Sequence, residues 1–233
     1  MLDSSKNRRI DLLSQYYQNH HRIRDLSLAK DGAVKEAFFR KEVRNHFTHN
    51  NLIAMDLGCR WGILTKALDD LAQWHGIDID EKAVEKALKN GLSAQQMDIS
   101  INIDFKDSCF DIVLLTEVLE HLPYPAITVK EIHRILKSGG IFLGSVPLNY
   151  NINQRLKVIR GKRLEQDPTH LHSFSFFELN TILKHYFQSV TYLPLRGKAV
   201  RFPWLSYDHF VRDIAWVAKD PISEPKPWKV KLL

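Results

Sequence analysis

The residues of this chain best placed to hold a ligand lie in Leu52-Ile-Ala-Met-Asp-Leu-Gly-Cys-Arg-Trp-Gly62. An apolar run reaches the acid Asp56, passes a turn punctuated by Gly58 and Gly62, and enters a helical pattern at Ile63. Glycine lets backbone N–H groups approach a ligand closely, because a Cβ would clash or forbid a positive φ. Strand, tight loop and helix in that order open a nucleotide-binding α/β unit. Twenty residues beyond Gly58, Gly76-Ile-Asp78-Ile-Asp80 ends a second apolar run in a carboxylate. That is the group needed to accept two ribose hydroxyl hydrogen bonds, whereas Asp80 reads as a helix N-cap.

Other side chains could move protons. His121 has the intrinsic pKa of a general base, although a packing or helix-capping role is the commoner one for such a histidine. Asp167-Pro-Thr-His-Leu-His172 carries His170 and His172 beside an acid. A metal would need a third ligand at reliable spacing, which the sequence does not offer, so no metal is expected. Tyr16 and Tyr17 lie on or beside the apolar face of a short amphipathic helix. They either close over the ligand as a lid or staple the helix to the domain.

The elements that must position these groups alternate strand and helix from residue 52. Strands are expected over 52–57, 74–78, 94–97, 111–115 and 141–146, with helices over 63–73, 81–90 and 126–136. The 126–136 helix is closed by Lys137-Ser-Gly-Gly140. A basic linker (149–166), a helix (175–187) and two strands (189–195 and 213–218) follow. Alternation with short loops means one mostly parallel sheet. Ahead of it stands a helical N-terminal extension (1–48), holding a helix over 33–47 and the basic, histidine-bearing segment 19–24. The α/β domain occupies 49–220, and 221–233 reads as a tail.

Composition narrows the setting. The 233 residues carry a formal net charge of +6, which favours anionic small molecules, nucleic acid or an anionic membrane surface without choosing among them. Only two cysteines occur, which makes a disulfide framework unexpected and a reducing, cytoplasmic setting the default. Neither a signal-peptide h-region nor a bilayer-length apolar run is visible. The densest basic run, Arg155 to Arg163, is either a solvated face or a contact for an anionic substrate or RNA. The oligomeric state is not legible.

The loop Asp56-Leu-Gly-Cys-Arg-Trp-Gly62 resembles motif I of class I S-adenosylmethionine-dependent methyltransferases, D/E-x-G-x-G-x-G, with Arg60 where the middle glycine is usual. A second match is Phe110-Asp-Ile-Val-Leu-Leu-Thr-Glu-Val-Leu-Glu-His-Leu-Pro123, followed by a helix and L-K-x-G-G. The resemblance extends roughly over residues 50–220. It implies a Rossmann-like seven-stranded, mostly parallel sheet with an antiparallel last strand. S-adenosylmethionine would bind through Asp56, Gly58, Cys59, Arg60, Gly62, Asp78, Ile79, Met97, Asp98, Ile99, Thr116, Glu117 and Val118, with S-adenosylhomocysteine as product. Asp78 would take the ribose, Ile79 would pack on the adenine, and Asp98 would accept from the adenine amino group. It further implies methyl transfer to a small-molecule, lipid- or sugar-linked acceptor, at oxygen. His121 and His170 are then the catalytic candidates, and Tyr16, Tyr17 and His172 belong to the lid and acceptor wall. The alternatives are an RNA methyltransferase and a non-catalytic scaffold whose cofactor site Arg60 has spoiled. A dehydrogenase is disfavoured, because the loop lacks G-x-G-x-x-G spacing.

Overall fold

Apolar runs without polar alternation belong to strands covered on both faces, and they build the centre of this molecule. The computed structural model describes residues 9–17, 28–162, 167–197, 207 and 209–226. The strands are β1 (Ile53–Leu57), β2 (Gln73–Asp78), β3 (Ser93–Gln96), β4 (Phe110–Thr116), β5 (Leu136–Pro147), β6 (Phe187–Gly197) and β7 (Val211–Pro221). They form one sheet in the order β3-β2-β1-β4-β5-β7-β6. All neighbours from β3 to β5 pair in parallel, and β7 runs antiparallel between β5 and β6. The expected Rossmann-like sheet with an antiparallel last strand is what the chain forms.

Alternation along β4 divides the core. Val113 and Leu115 point into one apolar cluster, with Leu57, Ile77, Ile132, Leu183 and Trp216. Ile112 and Leu114 point into the other, with Phe39, Val43, Leu68, Trp74 and Val217. Successive strand residues face opposite sides, so one run fills two layers. Helices α1 (9–17), α2 (Leu28–His46), α3 (Ile63–Ala67), α4 (Glu81–Lys89), α5 (Pro125–Ile135), α6 (Ile152–Ile159) and α7 (Phe176–Tyr186) flank the sheet. Phe39 and Val43 of α2 are fully buried, so this helix packs as part of the core.

Several boundaries differ from the sequence expectation for identifiable reasons. The helix expected over 63–73 stops at Ala67, because tertiary donors take its last carbonyls: Arg40 donates to Ala67 O and Trp74 Nε1 to Leu68 O. Lys137-Ser-Gly-Gly140 does not simply end a helix; it bulges out of β5 between the Phe110–Leu136 and Ile112–Ile141 pairs. Lys137 Nζ ties that bulge to Asp111 at 2.8 Å. The linker expected over 149–166 contains α6, N-capped by Asn151, whose side chain accepts from Gln154 N. Ser175 and Glu178 form a capping box at the start of α7. The segment 19–24, the end of the basic run at Arg163 and most of the tail lie outside the described residues.

Gly144 is required by space. A Cβ there would lie 2.1 Å from Trp216 Cζ2, and Trp216 is fully buried. Substituting Gly144→Ala should therefore overpack the β5–β7 contact and cost about 1–3 kcal/mol. Urea denaturation is the check, with a lowered midpoint at unchanged m-value expected.

Candidate functional site

The sheet order reverses direction between β1 and β4, and ligands of open α/β sheets bind outside the strand carboxyl ends at that point. A cavity of about 1330 Å³ opens there. Its floor is the loop after β1. Gly58 N and Cys59 N both donate to Ile77 O, at 2.7 and 2.8 Å, folding the loop over the end of β2. Gly58 has φ +79°, and a Cβ would meet Val118 Cγ2 at 2.4 Å, so only glycine fits. Arg60 also adopts a left-handed φ of 51°. Its N–H donates to Asp78 Oδ2 (2.8 Å), while its guanidinium lies 4.6 Å from the Trp61 ring centroid. An arginine at the usual glycine position thus keeps the backbone geometry of the loop.

Asp78 is almost fully buried, and its carboxylate accepts from Arg60 N and Asp80 N. Burial pushes its pKa up to about 6, against the opposing pull of those hydrogen bonds. Asp56 is also buried and is pushed up to about 7, mainly by desolvation, with Thr65 donating to it and pulling the other way. Asp56 therefore holds the start of α3 as well as edging the cavity. The Cys59 thiol is raised by burial, which makes it inert packing rather than a nucleophile.

All the residues expected to hold the cofactor line this one cavity: Asp56, Gly58, Cys59, Arg60, Asp78, Ile79, Met97, Asp98, Ile99, Thr116, Glu117 and Val118, except Gly62. Gly62 instead serves as the left-handed N-cap of α3. Asp98 accepts from Ser100 N and pairs with Arg9 Nε at 3.2 Å, which ties α1 to the rim. Tyr16 and Tyr17 of α1 line the same space, and Tyr17 packs edge-on against His121 at 5.8 Å. Burial raises the Tyr17 phenol to about 12, so it stays protonated at neutral pH.

His121 and His170 also face the cavity, with ring centroids 4.7 Å apart. The His121 Nδ1–H donates to Thr169 O at 3.1 Å, and Thr169 Oγ1 donates to Asp167 Oδ1 at 2.6 Å. An imidazole that donates from Nδ1 carries its basic lone pair on Nε2 when neutral. His172 does not join them: it donates from Nε2 to Pro123 O and lies outside the lining.

Three residues at the site escaped the sequence reading. Glu120 is fully buried, its Oε1 3.9 Å from His121 Nε2 and 3.8 Å from His170 Nε2. It is the third candidate ligand that sequence spacing lacked; Glu120, His121 and His170 offer ligand atoms within 4.8 Å of one another. Lys35 of α2 reaches Glu117 Oε1 at 3.0 Å and Ser145 Oγ at 3.1 Å in the cavity wall. Arg9 is the third. Nothing local signals Lys35 or Arg9: Lys35 shares its helix face with Asp31 and Glu42 as well as Phe38 and Phe39.

A volume above the usual range for a single small-molecule site leaves room for an adenosyl group and an acceptor side by side. The donor set fits an adenosyl cofactor: each Asp78 oxygen takes one backbone N–H and retains a lone pair for a hydroxyl, while Ile79, Met97 and Ile99 offer apolar walls to a flat ring.

Comparisons with known proteins bear on this geometry. A family model described as "Methyltransferase domain" matches residues 55–144. The ubiquinone biosynthesis O-methyltransferase of Methylococcus capsulatus is 34% identical over 161 residues, covering 63% of this chain and 68% of that protein. The protein of the same name from Nitrosococcus oceani is 36% identical over 105 residues, covering 42% and 44%. The chain thus spans about half the length of several curated relatives it matches, such as 57% for that of Idiomarina loihiensis. Among solved structures, a possible histamine N-methyltransferase from Thermotoga maritima superposes with TM-score 0.61 at 15% identity, over 90% of this chain and 98% of that one. The YcgJ protein of Bacillus subtilis gives 0.60 at 15%, over 82% and 100%. These likenesses establish the fold.

The raised carboxyls set a pH dependence with a definite sign. Asp56 and Asp78 have folded pKa values above the ordinary carboxyl value, so their protons stabilise the empty protein fully below about pH 4, and this is lost as pH rises through about 6 to 7. Asp78→Asn should flatten the fall in Tm of the ligand-free protein between about pH 4 and pH 7. Parallel Tm profiles for wild type and variant would contradict it.

Proposed function

We propose that this chain, which belongs to the class I S-adenosylmethionine-dependent methyltransferase family, methylates a small-molecule acceptor at oxygen and releases S-adenosylhomocysteine. The observation that carries the reading is the opening of the Gly58 loop, the buried Asp78 carboxylate and the His121 ring into one cavity. The name shared by its relatives, ubiquinone biosynthesis O-methyltransferase, favours a hydroxyl on a lipid-linked acceptor.

The cofactor supplies an electrophilic methyl on a sulfonium. Asp78 would accept from the ribose hydroxyls, Asp98 would accept from the adenine amino group, and Ile79, Met97 and Ile99 would pack on the ring. Gly58 and Val118 leave a backbone surface that a side chain would obstruct. Alignment and exclusion of water do most of the work in an in-line displacement. Tyr16, Tyr17 and Leu13 of α1, tethered through Arg9, would cover the reacting end as a lid.

An oxygen nucleophile must also lose its proton. His121 Nε2 would take it as the oxygen–methyl bond forms and the sulfur–methyl bond breaks. Thr169, held in turn by Asp167, fixes the ring's tautomer through Nδ1, and Glu120 Oε1 lies 3.9 Å from Nε2. His170 borders the acceptor space, while His172 is left with a structural role. A second reading rests on the same cluster: Glu120, His121 and His170 are close enough to share one divalent cation that would bind and acidify the acceptor hydroxyl.

Calorimetric titration of S-adenosylhomocysteine should give micromolar binding that Asp78→Ala abolishes. Absence of binding by folded wild-type protein would mark a partner-binding scaffold instead. With an acceptor in hand, His121→Asn should lower kcat about 10²–10⁴-fold with little change in cofactor Kd. If activity survives exhaustive chelation, His121 acts as the base; if it is lost and restored by a divalent ion, the cation reading stands.

A further inference from the structure

Helix α1 turns one face into the large cavity. Arg9, Leu12, Leu13, Tyr16 and Tyr17 all line it, and they stand at i, i+3, i+4, i+7 and i+8, the spacing of a single helical stripe. Three contacts fix where that stripe lies. Arg9 reaches Asp98 and Ser100 beyond β3, Ser14 Oγ accepts from Glu81 N beyond β2, and Tyr17 packs on His121 beyond β4. In the sheet these strands stand in the order β3-β2-β1-β4. Helix α1 therefore crosses the strand ends from the β3 loop to the β4 loop, a span of about 12 Å at the helical rise per residue.

At the Arg9 end the contacts are polar and directional. Arg9 Nε pairs with Asp98 Oδ2 at 3.2 Å, and its Nη2 donates to Ser100 Oγ at 2.7 Å. Two acceptors on one edge of a planar guanidinium fix the orientation of the plane. Asp98 is not used up by this pairing. Its Oδ1 accepts from Ser100 N, so each oxygen retains a lone pair for a further donor. As a staple alone the pair would contribute little, because the Arg9 side chain is 44% exposed. Ile79, Met97 and Ile99 line the same end of the cavity from the strand side. A flat ring held there has these residues against one face and α1 over the other.

We propose that Arg9 is a cofactor-binding residue whose guanidinium stacks on the adenine ring, so that the cofactor locks α1 across the cavity and brings Tyr17 to His121. A guanidinium is attracted to the face of an aromatic ring, and more strongly where water is excluded. One loop then serves twice: Asp98 takes the amino edge of the ring and holds Arg9 against its face. The assignment rests on the reading of this cavity as a S-adenosylmethionine site. It adds that the N-terminal helix recognises the cofactor itself as well as covering the reacting end.

The test is calorimetric titration of S-adenosylhomocysteine into the full chain carrying Arg9→Gln or Arg9→Lys, with hydrogen exchange measured over residues 9–17. Arg9→Gln should weaken binding about tenfold. Arg9→Lys, which keeps a charge for Asp98 but not the plane, should recover little of that loss. Without ligand, exchange over 9–17 should be the same in Arg9→Lys as in wild type. With ligand, it should slow in wild type and much less in either variant. A wild type that binds no S-adenosylhomocysteine defeats the cofactor reading, and this assignment with it. Three results overturn the assignment alone: wild-type affinity in Arg9→Gln, full recovery in Arg9→Lys, or affinity that falls only in step with lost protection of ligand-free α1. The last two would make Arg9 a staple for the helix.

Discussion

The buried carboxylate of Asp78 is the point on which the site is built. It receives the backbone N–H of Arg60 from the loop after β1 and that of Asp80 from its own turn, while Ile77 O receives Gly58 N and Cys59 N. Four backbone donors therefore converge on two consecutive residues of β2, and the loop has no freedom left. Desolvation of the carboxylate is the cost, expressed as a pKa pushed up to about 6. A ligand bearing a diol would restore the hydrogen bonds that burial took from this group.

Around that point the walls come from distant parts of the chain. Lys35 links α2 to Glu117 and Ser145, at the carboxyl ends of β4 and β5. Arg9 links α1 to Asp98 and Ser100 beyond β3. The N-terminal helices thus make charged contacts with the same strand ends that the loop glycine and Val118 define. Of the two ion pairs, that of Lys35 with Glu117 holds the better buried cation.

The two sides of the cavity differ in how they are held. Around Gly58 the cavity is shaped by the loop after β1, whose backbone N–H groups are held by Ile77 O and the Asp78 carboxylate of β2. The histidine side depends on two segments: Glu120 and His121 after β4, and Thr169 and His170 some fifty residues later. Leu171 N and His172 N both donate to Glu120 O, at 2.9 and 3.0 Å, which clamps the second segment onto the first. That clamp turns His172 toward Pro123 and leaves His170 facing the cavity.

Much of this was legible in the residues themselves. The two-faced apolar runs determined a parallel sheet, and Asp56, Gly58, Asp78 and Asp98 at successive strand ends determined a shared crevice, because strand direction and loop position follow from local pattern. What only the tertiary structure decided lies in contacts between residues far apart in sequence. Arg40 and Trp74 cut α3 short by taking its carbonyls. Glu120 joined two histidines across about fifty residues, which no spacing rule anticipates. Helix α6 was hidden because periodicity reports which face is apolar but not which way it points. Of its side chains Gln154 is buried, while Ile159 stays 79% exposed. Local pattern sets the elements; which of their faces meet is settled by the packing of the whole chain.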